Sequence, residues 1–378
     1  GTGVVLPGSS DWLGTSVMSY RSYPGADVGG GYSNDFYPSA PMLNDILAIQ
    51  HMYGANYNTR SGDTVYSWAP GERIFETIWD GGGTDTIDWS NQSSAAVIRL
   101  EAGAWSELGP AYYYGAPSGT ITTTLAIAYH VTIENAKGGS GNDQIFGNSV
   151  ANALYGLAGG DQIQGGAGDD VIEPGTGNDT VYGGDGIDRV SYYNDAGTAG
   201  LVIDLRTNIA TRGAETDRLY DVEDIDGGRG NDTIDGDDGA NYLSGADGND
   251  VVRAWGGNDT LRGGIGDDVL EPGAGVDTVY GGPGTDKVSY YNETGTAGVT
   301  IDLTAGTAVR SGETDTLYEI ENADGTRNAD TIYGSAAGRH AAAALAHINF
   351  HKHIDHRRPG RARARLVHGL GQPGDAVQ

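Results

Sequence analysis

Aspartate returns every ninth residue through two long stretches of this chain, always inside a turn-forming hexapeptide and two places before a large aliphatic residue. The pattern is GGxGxDxUx, with U apolar. It runs from Gly138 to Ser191 as GGSGNDQIF, GNSVANALY, GLAGGDQIQ, GGAGDDVIE, PGTGNDTVY and GGDGIDRVS. It resumes from Gly227 to Ser289 as GGRGNDTID, GDDGANYLS, GADGNDVVR, AWGGNDTLR, GGIGDDVLE, PGAGVDTVY and GGPGTDKVS. Position six is Asp in eleven of the thirteen copies and Asn in two, Asn152 and Asn241, and position eight is always Ile, Val or Leu. Carboxylates and loop carbonyls at such spacing are ligands for a hard cation. Calcium takes six to eight oxygens in flexible geometry, which suits this set better than magnesium.

The elements that must position these carboxylates follow from the same repeat. Glycines at positions one, two and four let the first six residues turn tightly, and the last three form a short strand. Position eight points inward, so Ile145, Leu154, Ile163, Ile172, Val181 and Val190 are expected to stack as one narrow apolar ladder, with Ile234 through Val288 doing the same. The fold class is mainly β: a parallel β-roll whose coils depend on their neighbours for burial. Coils about 4.8 Å apart would set like carboxylates against each other at a cost of roughly 3 kcal/mol per pair. Bound calcium removes that repulsion. A Gly/Asp-rich flexible linker would not hold an apolar residue in register.

Composition narrows the partners. The chain has 378 residues and a net charge of −29. Residues 1–338 carry 49 acidic against 15 basic side chains, a balance of −34. Such a surface repels nucleic acid and attracts cations. There is no cysteine, hence no disulfide framework or thiolate chemistry, and calcium would brace an extracellular chain instead. No apolar run is long enough to span a membrane, and no signal peptide is visible at the N-terminus. The opening Gly suggests a processed or truncated chain.

A 98-residue repeat overlies the nonapeptide. Tyr192–Asp226 reappears as Tyr290–Asp324, and a divergent copy precedes both, with DGGGTDTIDWS at Asp80–Ser90 and VTIEN at Val131–Asn135. Alternation in Leu201–Leu205 and Leu219–Ile225 predicts paired strands flanking the roll. The roll is expected to start near residue 60, and a third array opens at Gly325. From Arg339 the chain turns basic, with seven of 22 basic residues and six of eight histidines in the last 40 positions. This tail is read as an atypical, disordered extension, and its His351/His353/His356 cluster lacks the spacing of a zinc helix.

The nonapeptide resembles that of the RTX family of secreted proteins. In that family, carbonyls at positions one and three, or two and four, join the position-six Asp around calcium. The resemblance implies that Gly139, Gly141 and Asp143 form one half-site, with Asp161, Asp170, Asp179, Asp188, Asp232, Asp250, Asp259, Asp268, Asp277 and Asp286 in others. The two Asn registers would bind weakly or stay empty.

A second resemblance lies upstream. Ser16-Val17-Met18-Ser19-Tyr20 is similar to the Met-turn of metzincin zinc proteases in the form found in serralysins. A helical run follows at Ala40–Tyr53, with Leu43, Ile46, Leu47, Ile49 and Gln50 at helical spacing, and then RSGDTVY at Arg60–Tyr66. The resemblance covers residues 12–335 or so. It implies a metzincin remnant over 1–58, a calcium-binding roll over 59–338 and the tail over 339–378. Met18 would form the floor beneath zinc, and Tyr20 would be a zinc ligand that moves to stabilise the oxyanion. Arg60, Gly62, Thr64, Asp80, Gly82, Gly83, Asp85, Thr132 and Glu134 would hold calcium at the junction.

Metzincins use HExxHxxGxxH, and no HExxH occurs in these 378 residues. The zinc helix would lie further upstream of the Met-turn than the 17 residues available here, so it is read as lost or omitted. Two functions are expected to compete. One is the C-terminal region of a secreted zinc metalloendopeptidase, with calcium ions, zinc in the intact parent, protein or peptide substrates and a one-step secretion machinery as partners. The other is a non-enzymatic extracellular RTX module for adhesion or secretion. Upstream sequence would separate them.

Overall fold

The computed structural model describes residues 41–114, 119–195, 197–292 and 297–334. Met18, Tyr20 and the basic tail lie outside the described residues. The chain divides into two compact units: one runs to Tyr192 and includes Glu215–Val222, and the other takes Tyr193–Ala214 and the chain from Glu223 onward.

The first unit begins with one helix, Leu43–Tyr53. Its start is set by Asp45, whose carboxylate accepts the Met42 N–H at 3.0 Å and so satisfies one of the free donors of the first turn. Met42 is fully buried and packs with Phe75, Tyr112 and Ile121, with Trp105 against them. The apolar face expected of this helix is only partly used. Leu43 is buried, but Leu47 and Ile49 are 39% and 48% exposed, because the helix meets the described residues through its N-terminal turn.

The roll is parallel and in register. Ile145 pairs with Ile163 and Ile163 with Val181 in one sheet; Leu154 pairs with Ile172 and Ile172 with Val190 in the other. All six are 0% exposed. The single ladder expected from the sequence is therefore two facing ladders. Each nonapeptide supplies half a coil, so partners stand 18 residues apart and successive position-eight side chains enter from opposite sheets. The first strand, Val65–Ser67, lies parallel to Thr86–Asp88.

The second unit repeats the plan. Ile234, Val252, Leu270 and Val288 run down one sheet, and Leu243, Leu261 and Val279 down the other, all at 0% exposure. Thr331–Tyr333 lies parallel to Thr300–Asp302, so the repeat opening at Gly325 is laid into the sheet.

The flanking strands differ from expectation. Val202–Asp204 pairs antiparallel with Ile209–Arg212 rather than with the Leu219 segment. The latter, Glu215–Tyr220, stacks parallel on Thr180–Tyr182 in the first unit. In the second unit Thr300–Asp302, Thr307–Arg310 and Glu313–Tyr318 form an antiparallel meander, and Glu313–Tyr318 also lies parallel to Thr278–Tyr280. The missed strands, IATR and TAVR, are four residues long and have one buried side chain each, too little for alternation to register.

Candidate metal centre

Each position-six side chain leaves the turn just before its strand, so stacking the coils stacks the carboxylates. One oxygen of each is fixed by the main chain. The N–H of Asp143 donates to Asp161 Oδ1 at 2.7 Å, and that of Asp161 to Asp179 Oδ1 at 2.7 Å. On the opposite side Asn152 donates to Asp170 and Asp170 to Asp188, at 2.7 and 2.9 Å. In the second unit the columns run Asp232 to Asp250 to Asp268 to Asp286, and Asn241 to Asp259 to Asp277, at 2.7–2.9 Å. A tighter turn than a Cβ permits brings the coils this close: at Gly177 (φ +141°) a Cβ would overlap the Gly159 carbonyl.

The second oxygen is another matter. Oδ2 of Asp85, Asp161, Asp170, Asp250, Asp259, Asp268 and Asp286 is buried without a hydrogen-bond partner. These side chains are at most 2% exposed. A buried carboxylate in that state is costly and must recruit a proton or a cation. Burial pushes Asp161 and Asp259 up to about 8, with the charges of Asp179 and Asp143, and of Asp277 and Asp237, adding to the effect. Burial likewise carries Asp170 and Asp250 to about 7 and Asp286 to about 6. Among the described residues no three carboxylates or imidazoles converge. A cation in these columns therefore needs main-chain oxygens as well, which the glycine turns bring close.

The first coils of each block are built differently. Asp143 Oδ2 accepts the N–H of Gly139 at 2.6 Å, and Asp232 Oδ2 that of Gly228 at 2.7 Å. Asn152 and Asn241 accept the N–H of Asn148 and Asp237 at 2.9 and 3.0 Å, and their amides donate to the carbonyls of Glu134 and Glu223. Four positions that one repeat pattern puts together thus arrive with their second polar atom already paired. The Gly141 carbonyl faces Gly159 of the stacked coil, where no Cβ would fit.

At the junction, Thr64 N–H donates to Asp85 Oδ1 at 2.8 Å and Asp85 N–H to Glu134 Oε2 at 2.7 Å. Asp80 accepts Gly82 N–H at 2.9 Å and the Tyr66 hydroxyl at 2.6 Å, and Arg60 donates to that hydroxyl at 3.3 Å. Thr64 Oγ1 donates to the Gly62 carbonyl at 3.0 Å, and a Cβ at Gly83 would lie 2.7 Å from the same oxygen. Asp80, Gly82, Thr132 and Glu134 line a cavity with Tyr57 and His130. Burial, reinforced by the charges of Asp80 and Glu134, lifts Asp85 to about 6. Of the nine junction residues named from sequence, Thr64 and Glu134 bond Asp85, and Asp80, Gly82, Thr132 and Glu134 line the cavity, while Arg60 reaches Asp80 through Tyr66 and Gly83 lies against Gly62.

The family model for the peptidase M10 serralysin C-terminal region matches residues 51–340. The chain belongs to that family. Relatives of serralysin type agree. Metalloprotease AprA of Pseudomonas entomophila is 42% identical over 161 residues, covering 39% of this chain and 31% of its own length. Serralysin C of Dickeya chrysanthemi is 41% identical over 138 residues, 33% of this chain and 27% of its own. Serralysin of Proteus mirabilis is 37% identical over 153 residues, 37% and 28% respectively. The chain thus spans under a third of the length of each of these relatives.

Two features of this serralysin C-terminal region escaped the sequence. Position-five asparagines make an outer ladder of their own: Asn142, Asn178, Asn231, Asn249 and Asn258 each accept a main-chain N–H from another coil at 2.7–3.0 Å. The recurring ND dipeptide was their signal. Tyr66, Tyr192 and Tyr290 each donate to a buried aspartate. For the last two, the 98-residue recurrence was the available clue.

Proposed function

We propose that this chain is the C-terminal region of a secreted serralysin-type zinc metalloendopeptidase, and that residues 59–338 are its calcium-binding roll. The observation that carries the calcium reading is the set of buried aspartates whose second oxygen has no hydrogen donor. Asp161, Asp170, Asp250, Asp259, Asp268 and Asp286, with the neighbouring Asp179, Asp188 and Asp277, would share calcium ions with glycine carbonyls of the turns. Asp85, Glu134, Asp80 and Thr132, with Arg60, Gly62, Thr64, Gly82 and Gly83, would hold calcium at the junction. Asp143 and Asp232, with Gly139 and Gly141, belong to the edge of the array, where main-chain donors already serve the carboxylates.

Extracellular calcium would complete the fold after export, and residues 1–58 would close the protease domain of the parent. When bound in the intact parent, zinc would supply Lewis-acid chemistry toward a peptide carbonyl and a water molecule. The described residues offer no cage for it, and HExxH is absent from the chain. By family resemblance Tyr20 would serve the oxyanion and Met18 the floor of the zinc site. Peptide substrates and the export machinery are the partners this reading brings.

Equilibrium dialysis of the purified chain against radioactive calcium tests the roll. Several ions per chain at millimolar calcium, undisplaced by equal magnesium, are expected. Fewer than one ion per chain would overturn the assignment.

A further inference from the structure

The carboxylate columns do not end on a glycine turn. One column in each unit closes on an aspartate supplied by the 98-residue repeat, whereas the column from Asp232 to Asp286 closes on Glu321, whose Oε2 accepts the Asp286 N–H at 2.9 Å. In the first unit, Asp179 N–H donates to Asp217 Oδ1 at 2.9 Å, the same bond that Asp161 makes to Asp179 one coil earlier. The strand register agrees, with Thr180 beside Arg218 and Val181 beside Leu219. In the second unit Asp277 N–H donates to Asp315 Oδ1 at 3.1 Å, with Thr278 beside Thr316. Asp217 and Asp315 therefore occupy ladder positions, although the nonapeptide pattern does not contain them.

They differ from the coils before them at the second oxygen. Asp217 Oδ2 accepts the Tyr192 hydroxyl at 3.0 Å, and Asp315 Oδ2 accepts that of Tyr290 at 2.6 Å. The phenols are 1% and 0% exposed, and both carboxylates 6%. A buried O–H donor does for these carboxylates what a cation would do for Asp161 or Asp259: it supplies positive character to an oxygen removed from water. Tyr66 also bonds a carboxylate, Asp80, but Asp80 serves Gly82 of its own turn rather than the amide of a stacked coil.

We propose that Tyr192 and Tyr290 are built-in end caps of one calcium column in each unit, their hydroxyls standing where a cation would otherwise be required. The proposal rests on the calcium reading above. It assigns Asp217 and Asp315 as ladder carboxylates that bind no cation, so the repeat fixes where these two columns stop and docks their last strands without metal. The sequence distance between a tyrosine and its aspartate is 25 residues in both copies, so cap and carboxylate were duplicated together.

The full chain tests this with two pairs of substitutions. Asp217→Asn with Asp315→Asn keeps an oxygen for the ladder amide and a group to face each phenol. Asp161→Asn with Asp259→Asn makes the same change at the open coils. Bound calcium per chain is counted by dialysis, and the folding midpoint is read from circular dichroism during calcium titration. The cap pair is expected to bind as many ions as the parent, with a midpoint within about twofold; the open-coil pair should bind fewer, with a midpoint raised about tenfold or more. Tyr192→Phe with Tyr290→Phe should raise the midpoint about threefold, having removed a phenolic donor to Oδ2 in each copy. Equal ion loss in both Asn pairs would overturn the caps and leave the calcium reading standing. No loss in either pair would overturn both.

Discussion

Asp259 and Asn241 stack in one column, yet their chemistry is opposite. Asn241 has both ends of its amide engaged, by Asp237 N–H and the Glu223 carbonyl. Asp259 accepts the Asn241 main-chain N–H with one oxygen and buries the other unpaired. Asp259→Ala is therefore expected to raise the calcium midpoint of folding by about tenfold, and Asn241→Ala by no more than about threefold, as suits lost neutral hydrogen bonds. Equal midpoints in parallel titrations would show that the register of ligands is wrong. The position-four glycines make a second residue-scale case. At Gly177 the backbone is left-handed and a Cβ would strike the Gly159 carbonyl, so Gly177→Ala should cost at least about 1–3 kcal/mol of stability in saturating calcium. A thermal scan showing no loss would contradict the coil spacing.

At the scale of the coils, buried carboxylates tie the roll to pH. An aspartate titrates near 3.9 in the unfolded chain. In the folded, metal-free roll Asp161 and Asp259 hold their protons up to about 8, Asp170 and Asp250 to about 7 and Asp286 to about 6. The folded state binds more protons across this window, so metal-free stability falls as pH rises from about 4 to about 8 and grows as pH drops. With calcium present the protons compete, and more calcium is needed as pH falls. In chelator, circular dichroism should show more β structure at pH 5 than at pH 8; the reverse order would refute the burial of these carboxylates. The strands and their apolar ladder were legible in the sequence because Ile163, Val181 and their equivalents repeat without exception. What it concealed was that Ile145 and Leu154 belong to opposite sheets, since a period of nine does not announce that a coil takes two repeats. Asp143 looked identical to Asp161 for a similar reason: the difference lies in where the Gly139 N–H points, which no residue type records. The caps stayed hidden because Tyr192 and Asp217 meet only after the intervening hairpin folds.

For the molecule as a whole, a charge of −34 over residues 1–338 sets the terms. Coils that concentrate carboxylates in a thin core cannot close on apolar contacts alone, because every added coil brings another buried anion as well as another aliphatic side chain. The 378-residue chain also contains no HExxH, the motif through which metzincins supply zinc-binding imidazoles and a general-base Glu. It should leave casein intact with zinc and calcium supplied; cleavage abolished both by a zinc chelator and by Tyr20→Phe would contradict this. The most direct test of the central claim is a calcium titration of the purified chain followed by far-ultraviolet circular dichroism. β structure should appear cooperatively at about 10⁻⁴–10⁻³ M calcium, fail to appear with magnesium, and be lost again on chelation. A roll that stays fully folded at pH 8 in excess chelator would contradict the account.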